Sequence, residues 1–197
     1  PESVSKALEE LFNSSTGKLR SLYESLVTDQ GIMYELAGVV TSPGSDRQCI
    51  HPDLPFQSTA PLFVTFVALQ DVTTTMGPTT FVLGSNTEAA RDAYDHIEAL
   101  DELLVRAEIR ESTMRVGDLV VFDARTMHCG NANLGTLDEG KKNALDRALF
   151  NFSFRNPAVV GSLGYKGSMR PVYTQQQIRL GDVLDKVDRS SKIANDE

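Results

Sequence analysis

The stretch from residue 147 to residue 154 reads Arg147-Ala148-Leu149-Phe150-Asn151-Phe152-Ser153-Phe154. Its three phenylalanines occupy every second position, and because successive side chains of a β-strand point to opposite faces, they share one face. The other face is mostly polar and carries Arg147, Leu149, Asn151 and Ser153. This pattern predicts a strand in the wall of a barrel, with helices packed over the apolar face and a small polar cavity inside.

Short runs rich in β-branched and aromatic residues, separated by turn residues, fill the middle of the chain. These runs are Tyr34–Thr41, Gln48–His51, Leu62–Leu69, Thr79–Leu83 and Leu119–Phe122. They do not alternate regularly with helices, so the pattern favours an antiparallel sandwich, jelly roll or barrel.

Helical patterns flank this β-rich region. Residues 1–30 carry two apolar stripes with helical spacing, and another helix is predicted near Asp182–Val187. Thr87 is placed to cap a further helix that continues to Leu104. We therefore expect one domain over residues 1–197, with a helical segment at 1–30, a β core at 32–155 and a C-terminal tail at 156–197.

The composition argues against several classes of function. The chain has 27 acidic residues against 19 lysines and arginines, and a net charge of −8 disfavours a nucleic-acid partner. No apolar run approaches the roughly 20 residues that a membrane helix needs. Two cysteines give no disulfide framework, so we expect a reducing, cytoplasmic compartment. We also expect a monomer.

The tripeptide His51-Pro52-Asp53 is the first candidate for chemistry. In an extended segment the imidazole and the carboxylate, two positions apart, point to the same side. With a distant histidine they would form the facial triad that holds Fe(II) and leaves adjacent positions open. By itself the tripeptide is a weak signal, and a surface turn is the more common explanation for such a sequence.

His128 and Arg147 are the other candidates. His128 follows the predicted strand Leu119–Phe122 and comes from a different part of the sheet, although a hydrogen-bonded turn also explains it. The third histidine of the chain, His96, lies in a predicted charged helix and is expected to be solvated. An arginine that points into a cavity needs an anion, and its planar fork suits a carboxylate; a surface arginine is the alternative for Arg147.

In combination these features resemble the phytanoyl-CoA dioxygenase family of Fe(II)- and 2-oxoglutarate-dependent oxygenases. Four segments carry the resemblance, in the family's order: His51-Pro52-Asp53-Leu54, Asp71–Asn86, Gly117-Asp118-Leu119-Val120-Val121-Phe122 leading to His128, and Arg147-Ala148-Leu149. The resemblance implies a mainly β fold with flanking helices, the double-stranded β-helix or cupin-like jelly roll. It also implies Fe(II) ligands at His51, Asp53 and His128, and Arg147 on the C5 carboxylate of 2-oxoglutarate.

The same resemblance implies an O₂-consuming dioxygenase that hydroxylates a small organic molecule and releases succinate and CO₂. Thr65 and Asn133 are weaker candidates for 2-oxoglutarate contacts; β-propensity explains the first as well, and a turn role is the alternative for the second. Gly130 stands where many relatives carry a hydroxyl. Two other functions stay open: a metal-binding jelly-roll module without 2-oxoglutarate chemistry, and a cupin-like isomerase or hydrolase.

We expect a free small molecule as the substrate rather than an acyl-CoA, because the chain is acidic. Its basic pairs, Lys141-Lys142 and Arg189 with Lys192, fall in a predicted loop and in the tail. Neither pair belongs to the segments that carry the chemistry.

Overall fold

The computed structural model describes residues 2–13, 18–135, 145–164, 166–169 and 177–196. Its helices are α1 (Glu2–Phe12), α2 (Lys18–Val27), α3 (Glu88–Tyr94), α4 (Ile97–Arg106) and α5 (Leu180–Asp196), with a short 3₁₀ helix at Thr74–Met76. Its strands are β1 (Ile32–Thr41), β2 (Leu62–Ala68), β3 (Thr79–Val82), β4 (Ile109–Glu111), β5 (Leu119–Asp123), β6 (His128–Gly130) and β7 (Arg147–Arg155). Among the described residues, no helix combines the length and apolar character that crossing a bilayer requires.

Two antiparallel sheets face each other. The larger has the strand order β1-β7-β2-β5, and the smaller has the order β4-β3-β6. Side chains from both sheets meet between them, as shown by Phe81 on β3 and Phe122 on β5, whose ring centroids are 4.9 Å apart. The predicted mainly β architecture with flanking helices is therefore confirmed.

Strand β7 has the two faces that its sequence predicts. Phe152 and Phe154 are buried against Phe12 of α1 and Tyr23 of α2, and the centroids of Phe12 and Phe152 are 5.8 Å apart. Helix α5 adds Leu180, Leu184 and Val187 to the same cluster. Burial of each phenylalanine stabilises the fold by roughly 2–3 kcal/mol, which fixes the helical layer on this face. The opposite face of β7 is left to line the space between the sheets.

The predicted helix from Thr87 to Leu104 is two helices, so that prediction is wrong in its continuity. Thr87 does cap α3, since its hydroxyl accepts a hydrogen bond from the backbone N–H of Ala90 at 3.3 Å. The chain then turns at His96, whose backbone is extended. The turn lets apolar residues of both helices pack on one small cluster around Val82 and Met127, which a single straight helix of that length could not cover.

The predicted strand Gln48–His51 is also wrong, because only His51 forms a bridge, to His128. The backbone N–H of His51 donates to the carbonyl of His128, and the N–H of Gln48 donates to that of Gly130, both at 2.9 Å. Between these two hydrogen bonds, Cys49 and Ile50 therefore lie opposite Cys129 alone, which is one extra residue on the first side. Such a bulge interrupts a ladder and redirects side chains, and it is common beside functional sites.

Candidate metal and co-substrate site

His51 and His128 are brought side by side by backbone pairing. Each donates its N–H to the other's carbonyl at 2.9 Å, so the two residues form a hydrogen-bonded antiparallel pair. Directly opposed residues in such a pair project their side chains from the same face. The two imidazole centroids accordingly lie 4.9 Å apart.

Asp53 completes a cluster of three ligand atoms. Its Oδ1 lies 3.6 Å from Nε2 of His128 and 4.0 Å from Nε2 of His51, and all three ligand atoms lie within 4.8 Å of one another. These separations exceed hydrogen-bond length, as expected for donors that face one ion rather than each other. Two imidazole nitrogens and one carboxylate on one side are the donor set of a non-haem Fe(II) site, so the residues present fit that metal.

The other ring nitrogen of each histidine is engaged by a backbone carbonyl. Nδ1 of His51 lies 2.8 Å from the carbonyl of Cys49, and Nδ1 of His128 lies 2.9 Å from that of Thr126. This contact places the proton on Nδ1 and directs the lone pair of Nε2 into the cluster. In both cases the carbonyl belongs to the residue two positions earlier, so local extended backbone supplies the orientation.

The environment of His128 favours the neutral imidazole that a metal requires. Burial lowers the pKa of His128, against an opposing effect of the Asp53 carboxylate that raises it. Phe122 and Phe81 hold the ring, with centroids 5.0 Å and 5.8 Å from its own. His128 is 7% exposed in its side chain, whereas His51 and Asp53 are 33% and 32% exposed. The cluster therefore has a fixed inner member and an open outer side.

The cluster opens into a cavity of about 410 Å³ that also contains Arg147. Its apolar lining is formed by Val39, Val40, Phe66 and Leu149. Its polar lining is formed by Thr41, Ser45, Asp46, Gln48, Thr79, Asn131 and Arg147, beside the three candidate ligands and Gly130.

Arg147 is a buried cation without an acidic partner among the described residues. It is 4% exposed; Nη2 donates to the hydroxyl of Thr41 at 2.7 Å, and Nη1 donates to the carbonyl of Gly77. Nε has no hydrogen-bond partner in the described chain. Burial lowers the pKa of the guanidinium, which reflects the cost of keeping this charge away from water. An anionic ligand in the cavity would offset that cost, and the planar fork suits a carboxylate.

Gly77, which accepts the hydrogen bond from Arg147, occupies a position that only glycine fits well. Its φ is +72°, and a Cβ there would collide with the carbonyl oxygens of Asn131 and Ala132. Gly77→Ala is expected to lower the free energy of unfolding by about 2 kcal/mol or more, because left-handed strain and a backbone clash add together.

Gly38→Ala is the matched control, since a Cβ at Gly38 meets no heavy atom within 4 Å. Its stability should stay within about 0.5 kcal/mol of the parent. Urea denaturation of both variants measures the difference. Equal stability of the two would contradict the close approach of Gly77 to the loop after β6.

Two predicted co-substrate contacts are corrected by the structure. Thr65 is fully buried on the helix-facing side of β2, where its hydroxyl lies 2.6 Å from that of Tyr23, so the prediction that it faces the cavity is wrong. Asn133 is also fully buried, and its amide nitrogen donates to the carbonyls of Thr41 and Leu145 at 2.8 and 3.2 Å. Its oxygen accepts from the N–H of Gly135, so Asn133 has the turn role that was the alternative.

The remaining histidine, His96, is exposed at the start of α4 and lies outside the ligand cluster, as expected. Sequence reasoning missed Thr41 and Gln48, which both line the cavity. Thr41 lies opposite Arg147 in the pairing of β1 with β7. No feature of the sequence predicts the register in which these two strands pair. Gln48 precedes His51 by three residues, a position that becomes relevant only once the bulge is known.

The family model of phytanoyl-CoA dioxygenase (PhyH) matches residues 6–137, which is more than half of the chain. The chain belongs to this family. The matched PhyH region contains His51, Asp53 and His128, whereas Arg147 lies beyond its end. No curated protein sequence matches the chain significantly.

Several solved structures share the PhyH fold of this chain at low sequence identity. AviO1 from Streptomyces viridochromogenes Tue57 is 18% identical, with a TM-score of 0.53 over 73% of this chain and 59% of AviO1. The non-haem α-ketoglutarate-dependent epimerase SnoN from nogalamycin biosynthesis is 17% identical, with a TM-score of 0.57 over 84% of this chain and 67% of SnoN. EctD from S. alaskensis with bound Fe is 19% identical, with a TM-score of 0.56 over 78% of this chain and 54% of EctD.

The chain thus spans little more than half the length of AviO1 and EctD. A further structure of SnoN holds Fe³⁺, α-ketoglutarate and nogalamycin RO. These likenesses establish the double-stranded β-helix fold that the sequence predicts.

Proposed function

We propose that this PhyH-family chain is an Fe(II)- and 2-oxoglutarate-dependent dioxygenase that hydroxylates a small organic molecule. The observation that carries the proposal is the convergence of His51, Asp53 and His128 in the same cavity as a buried, unneutralised Arg147. The first three residues supply the ligands for a metal ion. A dicarboxylate that chelates this metal would also supply the anionic partner that Arg147 lacks. One bound molecule of 2-oxoglutarate satisfies both requirements.

Each residue has a defined task in this proposal. His51, Asp53 and His128 would hold Fe(II) from one side and leave the side toward the cavity for 2-oxoglutarate and O₂. Arg147 would bind the C5 carboxylate, while Thr41 and the carbonyl of Gly77 keep the guanidinium in place. When bound, iron and 2-oxoglutarate supply the oxidising chemistry: one oxygen atom of O₂ enters succinate as CO₂ leaves, and the other hydroxylates the substrate.

The charge around the cavity supports a free small molecule as substrate rather than an acyl-CoA. Among the described lining residues Arg147 is the sole cation, and Asp46 contributes a carboxylate in addition to Asp53. Arg189 and Lys192 lie on α5, in the helical layer over the outer face of the larger sheet. Lys141 and Lys142 lie outside the described residues. Nothing in the described lining offers the cationic cluster that a nucleotide phosphate needs.

The competing functions find less support. A metal-binding module without co-substrate has no need for a buried cation beside its metal, and burial of an unpaired charge costs stability. A cupin-like isomerase that gathers an extra histidine would have to recruit His96, which is exposed and outside the cluster.

The test is an anaerobic titration of the Fe(II)-loaded protein with 2-oxoglutarate, followed by visible absorption. We expect the weak charge-transfer band of an iron–2-oxo acid chelate. Succinate release is then measured with a panel of free acids, amino acids and alkaloid-like compounds, and with acyl-CoA thioesters. Absence of the band at saturating 2-oxoglutarate would refute the proposed function, and turnover confined to thioesters would refute the proposed substrate class.

A further inference from the structure

Arg125 connects the segment after Asp53 to the turn between β5 and β6, in which Arg125 itself lies. Its Nη1 donates to the carbonyl of Gln57 at 2.5 Å and to that of Ser58 at 3.1 Å. Its guanidinium also lies over the ring of Phe56, with Cζ 5.6 Å from the ring centroid. One side chain thus contacts three successive residues of the segment that follows Asp53.

Asp123 holds the guanidinium of Arg125 in this position. Its carboxylate accepts from Nε at 3.0 Å, from Nη2 at 2.5 Å and from the backbone N–H of Arg125 at 2.9 Å. Asn86 donates from Nδ2 to the same carboxylate at 3.2 Å. Both charged side chains are only 10% exposed, so solvent screens their attraction much less than at an exposed ion pair. The pair therefore fixes the guanidinium more firmly than a surface salt bridge would.

The two residues that flank Arg125 contact two of the candidate metal ligands. The carbonyl of Ala124 accepts from the backbone N–H of Asp53 at 3.0 Å. The carbonyl of Thr126 lies 2.9 Å from Nδ1 of His128 and orients its ring. Both contacts depend on the position of the turn relative to the segment after Asp53, and Arg125 is the side chain that joins these two parts of the chain.

Resting on the proposed function, we propose that Arg125 is a positioning residue of the metal site, which acts through Asp53 and His128 without touching the metal. Arg125 neither lines the cavity nor belongs to the ligand cluster. Its role is to keep the carboxylate of Asp53 and the imidazole of His128 at the separation that one ion requires. Loss of such an outer contact typically lowers metal affinity roughly 10- to 100-fold although every ligand is still present.

The test is a calorimetric titration of the metal-free protein with Mn(II), with thermal unfolding of the same samples to check the fold. Arg125→Met keeps an apolar stem but removes every hydrogen bond of the guanidinium, and it should weaken Mn(II) binding about tenfold or more. Arg125→Lys keeps a cation beside Asp123, so it should stay folded. It should recover only part of the Mn(II) affinity, because an ammonium lacks the planar fork that reaches the carboxylate and both carbonyls together.

Arg155→Met is the matched control, because Arg155 holds a segment that carries no candidate ligand. Its Nη2 donates to the carbonyls of Val159 and Gly161 at 2.9 and 2.5 Å. This variant should lose stability and keep parental Mn(II) affinity.

Two results would overturn the role of Arg125. One is parental Mn(II) affinity in Arg125→Met or, if that variant does not fold, in Arg125→Lys, since a purely structural arginine would lower only the unfolding temperature. The other is an equal loss of Mn(II) affinity in Arg155→Met. Failure of the parent protein to bind Mn(II) would instead overturn the metal site and with it the proposed function, so the two failures are distinguishable.

Discussion

His51→Ala, Asp53→Ala and His128→Ala are each expected to abolish tight Fe(II) binding while the protein stays folded. A facial site has three protein ligands, and removal of one leaves two donors on a partly exposed surface. The sheets are held by apolar contacts on both faces, so the ligands are not needed for folding. Metal titration by calorimetry measures the loss, and far-UV circular dichroism during heating checks the fold.

The three variants should differ in stability even though they share the metal defect. His128 is buried against Phe81 and Phe122, so its truncation leaves a small cavity and costs roughly 1–2 kcal/mol. His51 and Asp53 are one-third exposed and should cost less. His96→Ala is the control and should keep parental metal affinity. The ligand assignment is wrong if His96→Ala loses the metal and His128→Ala keeps it.

The parts of the fold that follow a strong period were predictable from sequence. Strand β7 alternates apolar and polar residues, so its apolar face needs an apolar surface to pack against. The apolar stripes of the two N-terminal helices provide that surface. Strands β4 and β6 were not predictable, because three residues are too few to show the alternation of apolar and polar side chains that marks a strand. The break between α3 and α4 depends on a shared tertiary cluster rather than on a strong helix stop.

The site was predictable where its residues are close in sequence, and less so where they meet across strands. His51 and Asp53 follow from the two-residue spacing, and their role as ligands stays a prediction until metal is measured. Strand β2 is apolar on both faces, so the alternation of its side chains does not indicate whether Thr65 faces the helices or the cavity. Gln48 and Thr41 depend on pairing with Gly130 and Arg147, which are far away in the chain.

Arg147→Ala is expected to weaken 2-oxoglutarate binding roughly ten- to hundredfold, since charge-assisted hydrogen bonds contribute about 1.5–3 kcal/mol. Arg147→Lys should recover only part of this, because an ammonium cannot reproduce the bidentate fork. The apoprotein should not lose much stability, because the variant also removes a buried charge that has no acidic partner in the described chain. Titration of the Mn(II)-loaded protein with 2-oxoglutarate measures the affinities, and thermal unfolding measures the stability.

The matched control is Arg106→Ala. The side chain of Arg106 on α4 is 80% exposed, so this variant should bind 2-oxoglutarate like the parent. Two further arginines that could replace Arg147 as carboxylate ligands, Arg125 and Arg155, are engaged within the protein. Arg125 pairs with Asp123 and donates to the carbonyl of Gln57, and Arg155 donates to the carbonyls of Val159 and Gly161. Neither lines the cavity. An unchanged affinity in Arg147→Ala would therefore require one of these arginines to leave its partners, and it would remove Arg147 from the proposed site.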